Sequence, residues 1–152
     1  YEQCLTLHRE IGDRRGEGQD LGNLGSAWAV LGEPRRAIDY YEQVLVITRE
    51  IGDRRGEGDA LGNLGITYKR LGELDRAIDY YEQALVIDRA IGDRQGEAND
   101  CWNLGLLLEG QGKLRRAVEL MQVRVDYLHS IGHPNAEALT TRIEQIRQKL
   151  ES

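Results

Sequence analysis

Apolar residues step by three or four along most of the chain. Between residues 53 and 71, Leu61, Leu64, Tyr68 and Leu71 fall on one helical face. From Leu74 to Ala90, a second stripe runs through Leu74, Ala77, Ile78, Tyr81, Leu85 and Ile87. Gly72 and Gly92 stop the two predicted helices, and Asp53 stands where the first needs an N-terminal cap. The spacing therefore predicts a helix, a short turn and an antiparallel helix.

That unit recurs every 40 residues. Ile11–Glu50 is followed at once by Ile51–Ala90, with 28 of the 40 positions identical, and Ile91–Ser130 is a looser third copy. A period between about 20 and 50 residues marks a stacked repeat array, in which no unit buries its apolar stripe alone. The register predicts repeats at 13–51, 53–91 and 93–131. Residues 1–11 (YEQCLTLHREI) copy the end of a repeat, which suggests a fragment of a longer array with an open N-terminal end suited to self-association. Residues 134–150 carry Leu139, Ile143, Ile146 and Leu150 on one face, with Arg142, Glu144, Gln145, Arg147 and Gln148 on the other. A one-sided helix of this kind suits a cap, with Pro134 expected in its first turn.

The 18 glycines would ordinarily argue against helix. Their register removes the conflict. Gly12, Gly52, Gly92 and Gly132, and Gly32, Gly72 and Gly112, fall at helix stops. Gly25, Gly65 and Gly105 fall mid-helix, where a missing side chain allows close approach of a neighbouring helix.

The net charge of −6 weighs against nucleic acid, which draws proteins with a basic stripe. No apolar run reaches the roughly 18 residues a membrane span needs, so no membrane role is expected. Cys4 and Cys101 lie more than two repeats apart and should not pair; both read as buried thiols in a reducing, cytoplasmic setting. His8, His129 and His133 show no metal-ligand spacing, and no cofactor motif, nucleophile elbow or strand-led glycine loop occurs. Neither an enzyme nor a metal or cofactor site is expected.

The spacing L-G-x-x-[WY]-x-x-x-G-x-x-x-x-A-x-x-x-Y-x-x-[AV]-L resembles the tetratricopeptide repeat. It is carried by Leu64, Gly65, Tyr68, Gly72, Ala77, Tyr81, Ala84 and Leu85, and by Leu24, Gly25, Trp28, Gly32, Ala37, Tyr41, Val44 and Leu45. The third copy keeps Leu104, Gly105, Gly112 and Ala117 but has Leu108 for the aromatic, Met121 for the tyrosine and Arg124 for the small residue. The 40-residue period is similar to the long-helix subtype of Pins-type adaptors, kinesin light chains and the sensor arrays of bacterial STAND ATPases. The resemblance implies an all-α fold, a right-handed superhelical solenoid of antiparallel helix pairs, with the first helix of each pair lining a concave groove. It also implies a scaffold that binds a protein or peptide segment, within a larger signalling protein.

By that resemblance the groove positions include Asn23, Ser26 and Val30 in the first repeat. In the second they include Asp59, Asn63, Ile66, Lys69 and Arg70, and in the third Asn99, Trp102, Asn103 and Leu106. Asn23, Asn63 and Asn103 form a ladder whose amides can grip peptide backbone, or can equally bond their own helices. The two near-identical copies differ at five consecutive positions, Ser26–Val30 against Ile66–Arg70, which fits either tuning for a partner or drift on a solvated face. Trp102 reads as a binding anchor or as packing beneath the cap helix. Lys69 and Arg70 add a basic point for a partner carboxylate. Gly22, Gly62, Ser26 and Ile66 stand where chaperone-tail binders carry lysine and asparagine, which counts against that ligand. The alternative to a peptide receptor is a structural spacer or self-association module.

Overall fold

The computed structural model describes Tyr1–Ser152 and is entirely helical. In chain order its helices are α1 (Glu2–Ile11), α2 (Arg14–Val30), α3 (Pro34–Ile51), α4 (Arg54–Arg70), α5 (Leu74–Ile91), α6 (Arg94–Gly110), α7 (Leu114–Ser130) and α8 (Ala136–Glu151). The chain divides into two compact units, Tyr1–Ile87 and Asp88–Ser152, with the division inside α5.

The helix ends follow from the residues at them. Asp13, Asp53 and Asp93 each accept the backbone N–H three residues on, at 3.0, 3.0 and 2.9 Å, so one orphan donor is satisfied at each start. Seven glycines turn left-handed at or just beyond helix ends, with φ from 63° at Gly132 to 79° at Gly32.

In the first unit α1 packs on α2, α2 on α3 and α3 on α4. Leu21, Ala37, Tyr41, Leu61, Leu64 and Tyr81 are buried at its centre. The mid-helix glycines act as seats for large side chains. A Cβ on Gly25 would lie 2.7 Å from the Tyr41 ring, and one on Gly65 would lie 2.8 Å from the Tyr81 ring.

In the second unit α6 packs on α7 and α7 on α8. Val118, Met121, Val125, Ile143 and Ile146 form its core, with Trp102, Leu106, Leu114 and Leu139 packed against it. Met121 takes the tyrosine's place over Gly105, its Cγ lying 2.7 Å from where a Cβ would be.

Two expectations need correction. Cys4 is exposed, while Cys101 is buried. The reason is local: α1 buries only Leu5, so its remaining faces, Cys4 included, meet solvent. Pro134 does not sit inside the last helix, which begins at Ala136. It belongs to the preceding turn, in which the Asn135 N–H donates to His133 Nδ1 at 3.1 Å.

Candidate functional site

Small residues open a cleft in the first unit. Gly18 and Gly22 on α2 and Ala60 on α4 leave a space of about 160 Å³ above α3. Val44, Ile47 and Thr48 of α3 form its floor, and Gln19, Asp59 and Asn63 stand at its rim. A Cβ on Gly18 would come within 3.3 Å of Ile47, so glycine is what leaves the floor accessible. An apolar floor with a few polar groups at the edge is the usual make-up of a side-chain pocket.

The expected site residues divide around this cleft. Asp59 and Asn63 line it. Asn23, Ser26, Val30, Ile66 and Arg70 are exposed, and Lys69 is half-buried, but none of them belongs to its walls. The Ser26 hydroxyl shares a hydrogen bond of 3.1 Å with the Tyr41 hydroxyl. Arg70 is engaged within the protein: its Nη1 donates to the Ala29 carbonyl at 3.0 Å, tying the end of α4 to the end of α2. Val30, its counterpart one repeat earlier, is 85% exposed.

In the second unit Asn99 is exposed and accepts a hydrogen bond from Arg124, the residue that replaces the small side chain of the other copies. Trp102 and Leu106 are half-buried against a core that includes Ile143 and Ile146 of α8. The indole thus supports the last helix. Asn103 is half-buried.

Sequence reasoning missed a recurring ionic link. Arg9, Arg49 and Arg89, near one helix end, each donate through Nε to a glutamate eight residues on: Glu17, Glu57 and Glu97. The distances are 2.8, 2.8 and 2.7 Å. Glu17 and Glu57 are buried, and each takes a second arginine, Arg14 at 2.6 Å and Arg54 at 2.5 Å. The hydrogen bond from Arg9 holds the Glu17 carboxyl below its ordinary value, outweighing the burial that pushes it up. The eight-residue register was visible in the sequence. Burial of the carboxylate was not.

These helix pairs, joined by short turns and repeated in register, define a helical-repeat scaffold protein. A family model for the tetratricopeptide repeat matches residues 21–90 and 56–126. The chain belongs to the tetratricopeptide repeat family, whose fold serves as a scaffold for protein–protein interaction. Proteins of this family are typically not enzymes.

Solved structures agree on the fold. The Sgt2 TPR domain from Aspergillus fumigatus has a TM-score of 0.68 at 23% identity, covering 89% of this chain and 80% of that one. A Podospora anserina protein of kinesin-light-chain type with nearly identical TPR-like repeats also scores 0.68, at 17% identity, covering 98% and 84%. BtubC (BKLC) from P. vanneervenii scores 0.60 at 20% identity, covering 97% and 78%. No curated protein matches the chain by sequence. No helix is long and apolar enough to cross a membrane.

Proposed function

We propose that the chain is a peptide-binding module of a larger signalling protein, acting in the cytoplasm, and that its first unit takes an extended partner segment along α2 and α4. The observation that carries this reading is the cleft itself. A side chain of aliphatic size fits a space of about 160 Å³ over Val44 and Ile47. The Asn63 and Gln19 amides at the rim offer donors and acceptors to the segment's backbone. Asn23, Ser26, Val30, Ile66, Lys69 and Arg70 then contact flanking residues of the segment. Asn99, Asn103, Trp102 and Leu106 are contact positions of the second unit. No nucleic acid, membrane, metal or cofactor enters the function.

A peptide-library screen tests it, with Asn63→Ala and Asp59→Ala run beside the parent. Losing one rim hydrogen bond costs about 1 kcal/mol, roughly fivefold in affinity. Ligands that bind both variants as tightly as the parent would remove the cleft from the function. Self-association is the second reading, favoured by Leu7 and Ile11, four residues apart on α1 and 54% and 65% exposed. A monomer by light scattering at high concentration would eliminate it.

A further inference from the structure

A second opening in the first unit, about 450 Å³, is bounded by α1, α2 and α3 and shares no lining residue with the α2–α4 cleft. The buried side chains of Leu5 and Leu21 close its base, and Trp28, Arg36, Asp39 and Tyr40 stand around it.

The 40-residue register supplies an internal comparison. The equivalent opening one repeat on is about 320 Å³ and contains Tyr68, Arg76, Asp79 and Tyr80. There Tyr80 lies flat on Tyr68, with ring centroids 5.2 Å apart and planes 7° from parallel. Arg76 sits 5.3 Å from the Tyr68 ring and pairs with Glu73 at 3.2 Å. Ring and cation are both satisfied from within.

In the first copy the ring and the cation meet only each other. Trp28 and Tyr40 make no ring contact with each other. Arg36 lies 4.4 Å over the Trp28 ring and forms no ion pair, although Glu33 occupies the place of Glu73. Arg9, the other cation of this opening, is already engaged by Glu17 at 2.8 Å and Gln43 at 3.4 Å. A guanidinium over an indole face keeps its N–H donors, and its planar fork suits a carboxylate gripped by two parallel bonds. Asp39 in the wall opposes a multiply charged phosphate more than a singly charged carboxylate.

We propose that this opening binds an acidic side chain of a partner polypeptide, its carboxylate on Arg36 and a neighbouring aromatic side chain against Trp28 and Tyr40, where Tyr80 covers Tyr68 in the next copy. The site is independent of the α2–α4 cleft. It depends on one of the five positions at which the copies diverge, Trp28 against Tyr68.

The two tryptophans provide the readout. In ¹⁵N-labelled protein, the blocked dipeptide acetyl-Tyr-Glu-amide is titrated while the indole N–H signals of Trp28 and Trp102 are followed. The Trp28 signal is expected to move saturably and the Trp102 signal to stay. The neutral acetyl-Tyr-Gln-amide should bind at least tenfold more weakly, and added salt should weaken the acidic peptide. Arg36→Gln should abolish the shift. Arg36→Lys, which keeps the charge without the planar fork, should reduce it, and Asn63→Ala should leave it unchanged. The backbone amide spectrum of each variant establishes that it is folded. A silent Trp28, an equal response to the neutral peptide, or a shift that survives Arg36→Gln would overturn the assignment. So would a shift lost in Asn63→Ala, which would place the peptide in the other cleft.

Discussion

Arg49 Nε donates to Glu57 Oε1 at 2.8 Å across the turn between α3 and α4, and the Glu57 side chain is 7% exposed where Arg49 is 52% exposed. The pair is asymmetric: a buried anion held by a half-solvated cation. Glu57 also receives Arg54 at 2.5 Å, so one carboxylate joins the end of one helix to the start of the next.

That asymmetry sets the outcome of mutation. Glu57→Gln leaves two arginines that water can solvate, so the loss should be about 1–2 kcal/mol in urea unfolding. Arg49→Ala combined with Arg54→Ala leaves a buried carboxylate without either cation and should cost more than Glu57→Gln. The reverse order would show that the cations contribute nothing.

The same link at Glu17 carries a pH dependence. Its folded-state value is depressed, chiefly by the Arg9 hydrogen bond. The stability it contributes is therefore present above its ordinary value of 4.5 and is lost as pH falls through the lower folded value. Unfolding free energy should decline below about pH 4.5, and the decline should be shallower in Arg9→Gln. An acid limb of unchanged slope would detach the link from stability.

What could be read from the sequence was whatever the period repeats and elementary chemistry interprets. Asp53 as a cap and Gly72 as a stop follow from position alone. The Arg–Glu link repeats just as faithfully, yet charge in a sequence carries no sign of burial. Arg70 read as a free cation because its acceptor, the Ala29 carbonyl, is 41 residues away and comes near only once the repeats stack. Within the candidate site, Asp59 and Asn63 were legible, whereas the floor of Val44 and Ile47 belongs to the other helix of the pair.

Two helical glycines should respond in opposite directions. At Gly25 an added Cβ lies 2.7 Å from the Tyr41 ring, so Gly25→Ala should destabilise, by about 1–3 kcal/mol less the helical gain of about 1. At Gly110, the last residue of α6, nothing lies within 4 Å and φ is not positive, so Gly110→Ala should stabilise by about 0.5 kcal/mol. Thermal unfolding of both variants checks the contrast. Equal shifts of one sign would mean that propensity, not the Tyr41 seat, governs Gly25.

The two thiols should separate cleanly. Cys4 is exposed, whereas burial pushes the Cys101 thiol up to about 11 despite the nearby Arg89 guanidinium. One equivalent of thiol should react with a disulfide reagent at neutral pH, and the second only in denaturant. Between pH 9 and 11 the unfolded chain ionises Cys101 while the folded chain keeps its proton, so that contribution to stability should fall as pH rises, and Cys101→Ala should lack the decline. Rapid labelling of both thiols in the folded protein would contradict the burial of Cys101.

Trp102 connects the fold to any binding assay. Its ring packs against a core containing Val118, Met121, Val125, Ile143 and Ile146, so Trp102→Ala should cost the second unit about 2–3 kcal/mol, below the range for a fully buried ring because Trp102 is half-exposed. The α8 amides should lose hydrogen-exchange protection in that variant, because Ile143 and Ile146 meet the core the indole supports. A binding loss seen only with Trp102→Ala, accompanied by that loss of protection, reports a loosened cap. A loss with α8 protection intact would make the indole a contact in its own right. Trp102→Leu separates the cases further: it keeps apolar volume against the core while removing the aromatic face, so it should restore most of the protection and would restore binding only if the ring's role is support.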